Sequence, residues 1–378
     1  MTVLQKYFGV EIMRAVLFVM LALLALFSFF DLMAELPLVN KGGYHLAHAF
    51  AYVVLGMPGY IYEFMPIAVL IGTIFVLAQF ASNSEFTIMR AASMSTWKAG
   101  GMLAKVGLVF VVLTFLFGEV ISPFSSKWAK DIKMTALGAS VTQEFRTGLW
   151  TKDLVRENGL EGSIVGSRFL NVKEILPNRH LIGVRVYEFD NDFSLVREIT
   201  AARAEYIGRN VWRLFEVVET GLPKTLTAQD MSASSSSSLK SASKEMVSEI
   251  TPDILSVLFA DPDRMSAYDL AAFSRHLADN KQSSERYEMA FWKKITYPLA
   301  VLVMMALALP FGYLHARSGG VSFKIFIGFM IGMVFYLVNS LFSHVGLLNT
   351  WPALVTALVP SLLFLIMAMI ALRYVERH

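Results

Sequence analysis

Long apolar runs, almost free of charge, recur on both sides of a polar middle section of the chain. Each run reaches or approaches the roughly 20 residues that an α-helix needs to cross a bilayer. The pattern therefore predicts six membrane-spanning helices, three before the polar section and three after it. The runs cover residues 15–30, 52–84, 99–121, 295–314 and 325–372, and Asn349-Thr-Trp-Pro352 divides the last run into two spans.

The polar middle section has a different pattern. Residues 181–189 and 211–218 are rich in β-branched and aromatic side chains and are bounded by turn-forming residues, which is typical of short strands. Several such strands in a row predict a small sandwich or jelly roll. Residues 231–243 include five consecutive serines and are predicted to form a mobile loop.

These patterns together predict the fold class: an α-helical membrane protein with six transmembrane helices (3+3) plus an inserted all-β, jelly-roll-like domain. The expected domains are residues 1–139 with the first three spans, 140–262 with the β domain, and 263–378 with a connecting helix and the last three spans. The connecting helix is predicted at residues 266–292, with Ser266 as its cap.

The distribution of basic residues predicts the orientation. Short connections on one side of the membrane carry most of the lysines and arginines, whereas the other side has only Lys41 close to the membrane. By the positive-inside rule both termini are cytoplasmic and the β domain is periplasmic. No cleaved signal peptide is expected, because a charged lead precedes the first run. The basic residues of the cytoplasmic side are Lys6, Arg14, Arg90, Lys98, Lys105, Arg317, Lys324, Arg373 and Arg377.

Composition supports a membrane protein and excludes several classes of site. Hydrophobic residues make up 55% of the chain and charged residues 17%, which argues against a disordered chain or a soluble globular protein. The absence of cysteine excludes a disulfide scaffold, a thiolate metal site and a cysteine nucleophile. A formal charge of +3 is too small to indicate nucleic acid as a partner.

The sequence also lacks the common catalytic motifs. It contains no phosphate-binding G-x-x-x-x-G-K-[ST] loop, no H-E-x-x-H and no G-x-S-x-G. His45 and His48 are three residues apart, but no second pair accompanies them, so no metal is expected there. Neither an enzyme activity nor a cofactor is expected in this chain, and active transport would need energy from another subunit.

A row of lysines follows the third span on the outer side. Lys127, Lys130 and Lys133 share one broad face of a helix that continues outward, because steps of three residues turn only about 60°. Such a row suits the phosphates or carboxylates of a lipid headgroup. The alternative is an ordinary solvated face that Asp131 balances.

Two features within the spans are further functional candidates. Glu63 lies among apolar residues, so a hydrogen-bonding partner or a position near the interface is expected. Gly328 and Gly332 form a G-x-x-x-G pattern in the fifth span, which predicts close helix packing.

The connection between the second and third spans carries a helix signal. Ser82-x-x-Glu85 matches a capping box and predicts a helix at residues 82–95. One interpretation is a helix that lies on the cytoplasmic leaflet. The apolar residues Phe86, Ile88, Met89 and Met94 do not form one clean stripe, however, so the alternative is a helix held between the membrane domain and a cytoplasmic partner.

A set of motifs, taken in their order along the chain, resembles the lipopolysaccharide export permeases of the LptF/LptG type, and more closely the LptG type. The resemblance covers nearly the whole chain, although each motif alone is weak. The motifs are Pro66 with Ile71-Gly72, Ala81-Ser-Asn-Ser-Glu85 with Met89-Arg-Ala-Ala-Ser-Met94, Gly118-Glu119 with Pro123, Gly148-Leu-Trp-Thr-Lys-Asp153, Trp292-x-Lys294 with Pro298-Leu299, and Gly332-Met-Val-Phe-Tyr-Leu337.

The resemblance implies a subunit of an ABC-type exporter in the inner membrane of a Gram-negative bacterium. Its implied partners are a paralogous F-type permease, a dimeric cytoplasmic ATPase that binds the ATP, a periplasmic protein bridge and single-span regulator proteins. Lipopolysaccharide would enter between the first span of one subunit and the fifth of the other. It would then be extracted to the periplasmic β domains.

The resemblance also implies roles for single residues. Residues 82–95 would be the coupling helix, with Ser82 and Arg90 in it, Glu85 as its polar contact, and Phe86 and Met89 as apolar anchors. Lys130 and Lys133 would touch headgroup phosphates, and Phe64 would line the lipid cavity. Where the family can carry a lysine near the end of the first span, this chain has Ser28-Phe-Phe-Asp31, so Lys41 is a candidate substitute.

Three alternatives remain open on the sequence. The chain could be an intramembrane lipid-modifying transferase, with Glu63, Glu119 or His344 as a base, although these residues lie in separate spans. It could be a scaffold that anchors the outer domain without transport. It could also be the F-type rather than the G-type permease.

Overall fold

The computed structural model of the protein describes residues 3–41, 43–91, 95–137, 148–159, 161–176, 180–222, 237–252, 254–255, 262–279, 283–313, 320–349 and 351–377. Within these ranges, eleven helices and six strands follow the predicted order. The helices are α1 (Val3–Glu35), α2 (Leu46–Ser82), α3 (Glu85–Ala91), α4 (Thr96–Leu116), α5 (Ser122–Leu137), α6 (Ala267–Asp279), α7 (Glu285–Thr296), α8 (Ala300–Ala308), α9 (Pro310–Tyr313), α10 (Val321–Leu348) and α11 (Ala353–Arg377).

Six helical segments are long and apolar enough to cross a membrane, which confirms the predicted number of spans. The third combines α4 and α5, and the fourth combines α7, α8 and α9. The segments are Gln5–Leu38, Leu46–Ser82, Thr96–Leu137, Glu285–Tyr313, Val321–Leu348 and Ala353–Val375.

The second span, α2, is the centre of the membrane domain. Its residues 64–80 are almost all apolar and most of them are buried, as expected for a helix with other helices around it, and Ala68, Val69 and Leu70 are fully buried. The first span crosses it closely at Gly72, where an added Cβ would lie 2.8 Å from the backbone nitrogen of Val16. Only glycine allows the two backbones to approach this closely.

The third span contains a wider helical turn. Phe117–Ile121 forms a π-helical segment between α4 and α5, in which backbone hydrogen bonds skip one additional residue. Beyond it, α5 continues the helix of the third span, as predicted for the segment that carries the lysine row. Glu119 lies in this segment, and its Oε2 accepts a hydrogen bond from the backbone N–H of Ala267, the first residue of α6.

The inserted domain is one six-stranded antiparallel sheet in the described residues. Its strands neighbour one another in sequence order, which is a meander. The strands are β1 (Leu149–Asn158), β2 (Glu161–Ile175), β3 (Leu181–Asp190), β4 (Leu195–Gly208), β5 (Val211–Gly221) and β6 (Ser237–Val247). The strands predicted at residues 181–189 and 211–218 are confirmed as β3 and β5. The jelly-roll form of the domain stays a prediction.

The sheet curls so that its last strand returns to its first two. Asp153 on β1 is fully buried, and its Oδ2 accepts hydrogen bonds from Arg168 Nε on β2 (2.8 Å) and from Ser248 Oγ just after β6 (2.7 Å). Arg168 also donates to the carbonyl of Val247. The aspartate at the end of the Gly148–Asp153 motif therefore joins three parts of this domain.

Two local predictions in the middle section are corrected. The serine-rich stretch is not a loop throughout, because residues 237–243 belong to β6, which pairs with β5; residues 231–236 lie outside the described residues. The connecting helix predicted at 266–292 is two helices, since α6 ends at Asp279 and α7 begins at Glu285. Its predicted cap is confirmed, because Ser266 Oγ accepts a hydrogen bond from the backbone N–H of Asp269.

Candidate functional site

The C-terminal ends of the first and third spans are joined by an ion pair. Lys133 Nζ on α5 donates a hydrogen bond to Glu35 Oε1 at the end of α1, across 2.6 Å. The hydroxyl of Tyr44 donates to the second carboxylate oxygen, Oε2, across 2.9 Å. On its other side, the lysine ammonium lies 4.6 Å from the centre of the Tyr52 ring. Four segments of the chain thus meet around Lys133.

The surroundings of Tyr44 favour its neutral, protonated form. Burial and the hydrogen bond to Glu35 raise the pKa of the Tyr44 phenol well above its usual range. A phenolate at Tyr44 would be repelled by the carboxylate of Glu35, so Tyr44 remains a hydrogen-bond donor at physiological pH.

The other predicted headgroup contacts have different surroundings. Lys127 is exposed, and Lys130 is half-buried on the same helix, α5. Lys41 is exposed in the short loop between the first and second spans. Asp31, near the end of the first span, accepts a hydrogen bond from the Tyr60 hydroxyl across 2.7 Å.

Phe64 is a packing residue within this chain. Its ring centre lies 4.3 Å from that of Phe27 on the first span and 5.8 Å from that of Tyr60, which stacks nearly parallel to it. Its side chain is buried. The cavity-lining role that the resemblance implied for Phe64 therefore stays a prediction about the assembled transporter.

The capping box predicted for the connection between the second and third spans is wrong. Ser82 is the last residue of α2, and its Oγ donates to the carbonyl of Gln79 across 2.8 Å instead of accepting a hydrogen bond at a helix start. Ser84 follows with φ 61°, a left-handed conformation that separates α2 from α3. The short helix α3 then begins at Glu85, so the helix predicted at residues 82–95 is described only over Glu85–Ala91.

Both carboxylate oxygens of Glu85 have partners inside the chain. Oε1 accepts from Asn83 Nδ2 (3.2 Å), and Oε2 accepts from the Tyr7 hydroxyl near the start of the first span (3.3 Å). The Tyr7 ring also stacks on Phe80, with ring centres 5.4 Å apart. This link between the first span and α3 was not predicted, because nothing local in the sequence connects two residues so far apart.

The neighbours of Glu85 divide into buried and exposed residues. Met89 packs against the core of the membrane domain, whereas Ile88 is exposed and Trp97, at the start of α4, is 91% exposed. The side chains of Phe86 and Arg90, and all of residues 92–94, lie outside the described part. Ser95 caps α4 by accepting from the backbone N–H of Lys98.

The two glycines of the fifth span lie in its contact with the second span. A Cβ added at Gly328 would lie 2.6 Å from Ile74 Cδ1, and one added at Gly332 would lie 3.1 Å from Ile67 Cγ2. Both distances are shorter than ordinary carbon–carbon contacts. Glycine at these positions allows the two helices to approach.

The three acid–base candidates of the transferase alternative make separate structural contacts. Glu63 Oε1 accepts from the Tyr336 hydroxyl (3.0 Å), Glu119 binds the start of α6, and His344 Nδ1 lies 2.8 Å from the carbonyl of Ser340. Among the described residues, no three His, Cys, Asp or Glu side chains are grouped as metal ligands would be.

Comparison with known proteins gives one consistent result. The family model "Lipopolysaccharide export system permease LptF/LptG" matches residues 6–374. The chain is 30% identical over 367 residues to the lipopolysaccharide export system permease protein LptG of Haemophilus influenzae, with 96% of each chain covered. It is 27% identical over 370 residues to LptG of Escherichia coli K12, with 97% of each chain covered. The resemblance inferred from the motifs is thereby confirmed, and the chain belongs to the LptF/LptG family of lipopolysaccharide export permeases.

Proposed function

We propose that this protein is the G-type permease subunit of an ABC-type exporter that extracts lipopolysaccharide from the inner membrane. The observation that carries the proposal is the family match over residues 6–374 of a chain with six spans and an inserted β domain. A paralogous F-type subunit would complete the permease. The chain would hold no cofactor, and a separate dimeric ATPase would bind the ATP.

The ATPase would dock at the connection between the second and third spans. Three features support this: Glu85 starts a short helix there, Ile88 is exposed, and the nearby Trp97 is almost fully exposed. Trp is among the residues that most often anchor protein interfaces. Tyr7 would tie this docking helix to the first span.

The lipid would be held at the outer end of the membrane domain and passed upward. The lysines of α5 would face the headgroup phosphates, since clustered ammonium groups attract phosphate. The first and fifth spans carry many exposed apolar side chains, such as Phe18, Leu21 and Phe326, which would face acyl chains or the paralogous subunit. The periplasmic β domain would join the protein bridge, and single-span regulator proteins would bind nearby.

The test is purification of the tagged chain in mild detergent after co-expression with the F-type permease and the ATPase. We expect all three subunits to copurify, and we expect lipopolysaccharide to change the rate of ATP hydrolysis. Absence of ATPase from a folded preparation, or a rate that does not respond to lipopolysaccharide, would contradict the proposal.

The docking assignment is tested with Glu85→Ala in the same preparation. We expect less ATPase to copurify, because the variant removes the only described acid of the connecting segment. Glu11→Ala is the matched control, since Glu11 is also near the cytoplasmic end of the first span but pairs with Arg14 instead. Equal ATPase recovery in both variants would place the docking site elsewhere.

A further inference from the structure

Lys133 is already paired with an anion inside the chain. Glu35 and Lys133 lie 98 positions apart, yet their charged atoms are 2.6 Å from each other. The side chains of the lysine and the glutamate are 25% and 10% exposed, respectively. An ion pair at this depth is weakly screened by salt, so Glu35 largely cancels the field of Lys133 at a distance.

The carboxylate of Glu35 is held firmly in place. Tyr44, which is fully buried, donates to the oxygen that Lys133 does not use. The loop that carries Tyr44 is itself bound to α5, because the backbone N–H of Gly43 donates to the carbonyl of Ala136 across 2.8 Å. These two donors fix the position and the orientation of the carboxylate.

The lysine, in contrast, remains partly accessible. One quarter of its side chain is exposed, and the flat ring of Tyr52 supports the ammonium without using a hydrogen-bond donor. A lysine ammonium has three N–H donors, so it can begin to bind a second anion before it leaves the first. A phosphate group offers more charge and more acceptor oxygens than a carboxylate does.

Resting on the function proposed above, we propose that Glu35 is a resident counter-ion that the phosphate of a lipid headgroup displaces from Lys133, so that Glu35 sets the affinity of this site and its preference for phosphorylated headgroups. Glu35 is a positioning residue, because it acts through Lys133 and does not itself hold the headgroup. Weakly charged lipids would leave the Glu35–Lys133 pair intact.

The test measures binding of a bis-phosphorylated glycolipid to the purified permease–ATPase complex in mixed micelles. Removing the competing charge with Glu35→Gln is expected to tighten binding about fivefold, in line with the energy of a partly exposed ion pair. Lys133→Gln is expected to weaken binding by about the same factor. The double variant is expected to match Lys133→Gln, because Glu35 has no lysine left to compete for.

Two controls make this result specific. Glu11→Gln removes a glutamate from the opposite end of the same helix, where it pairs with Arg14, and is expected to leave affinity unchanged. The dephosphorylated glycolipid is expected to bind Glu35→Gln and the unmodified protein equally. Inorganic phosphate at the same concentration is expected not to compete; if it does, the site takes free phosphate and the headgroup assignment is overturned.

Other outcomes separate this proposal from the function on which it rests. If the unmodified complex binds the phosphorylated glycolipid but folded Glu35→Gln binds it no more tightly, only the counter-ion role is overturned. If Glu35→Gln fails to fold, Tyr44→Phe tests the counter-ion role instead. Loss of the Tyr44 donor loosens Glu35, so this variant should bind the glycolipid more tightly, by a smaller factor. Unchanged affinity of Tyr44→Phe would overturn the counter-ion role. If no form of the complex binds the glycolipid, the proposed function fails as well.

Discussion

Tyr336 on the fifth span donates a hydrogen bond to Glu63 Oε1 on the second span across 3.0 Å, although 273 positions separate the two residues. A carboxylate among apolar residues of a span needs such a donor. The same pair of helices is in contact further along at Gly328 and Gly332. The second and fifth spans therefore combine one polar link with close backbone packing.

Removal of the Tyr336 hydroxyl should weaken this link. Tyr336→Phe keeps the ring and is expected to lower the free energy of unfolding by about 0.6–1.7 kcal/mol, the range of hydrogen bonds between spans. Thermal unfolding of the purified complex measures the change. Tyr268→Phe removes a hydroxyl from an exposed ring and should have no effect. Equal unfolding temperatures for the two variants would contradict the prediction.

A methyl group at Gly328 should disturb the same interface. Gly328→Ala is expected to cost about 1–3 kcal/mol, because its Cβ would lie 2.6 Å from Ile74 Cδ1. Adding Ile74→Val removes that Cδ1 and should restore part of the loss. Gly101→Ala on α4 is the control, since an added Cβ there has nothing within 4 Å. Greater helicity should make this control neutral or slightly stabilising.

Loss of Asp153 should unfold the β domain more easily. Asp153→Ala removes the closer carboxylate partner of the buried Arg168 guanidinium and leaves only Glu188, at 4.0 Å. Breaking a buried ion pair in this way costs about 3–5 kcal/mol. Limited proteolysis of the β domain at rising temperature measures the effect. Glu245→Gln breaks an exposed pair with Arg213 and should cost about 1 kcal/mol or less. Similar cleavage of both variants would show that the Asp153 network contributes little.

Exposed lysines on α5 should attract the headgroup over a distance. Lys127→Gln is expected to weaken binding of a phosphorylated glycolipid about threefold at low salt and less at high salt, because salt screens exposed charges. Lys98→Gln is the control, since Lys98 is exposed near the opposite end of the third span. Lys133→Glu is not a useful variant, because it would place a carboxylate against Glu35. If the affinity of the Lys127→Gln variant changes with salt in the same way as that of the unmodified protein, this role is contradicted.

The sequence was sufficient to predict the six spans, because a bilayer sets a minimum apolar length that local composition reveals. It also predicted β3 and β5, whose β-branched and aromatic residues form the buried face of the sheet. It did not reveal β6, because this edge strand is rich in serine and lysine and follows β5 by backbone pairing. Polar residues on an edge strand are common, since they discourage pairing with other chains.

The capping box failed for a local reason. A serine followed three residues later by glutamate fits a helix start, but a serine can equally donate back to a carbonyl within the preceding helix. Ser82 does the latter, and the left-handed Ser84 places the helix break after it. Distinguishing these two structures requires the backbone conformation of Asn83 and Ser84, which the pattern of residue types does not determine.

The pairing of Lys133 with Glu35 could not be predicted from the sequence. The lysine row on α5 was recognised from its spacing, but the spacing says nothing about an acid 98 positions earlier. Only the packing of α1, α2 and α5 brings Glu35 and Lys133 together. The sequence thus indicated which residues carry charge, and the fold determined which of those charges are already neutralised.

The π-helical segment Phe117–Ile121 determines in which direction around the helix axis the side chains of α5 face. In an α-helix each residue turns the chain by about 100°. Deleting one residue there to restore regular α-helix would turn α5 by about that angle and carry Lys133 off the side that faces Glu35. The single wider turn therefore determines that Lys133 faces the first span, where it meets Glu35.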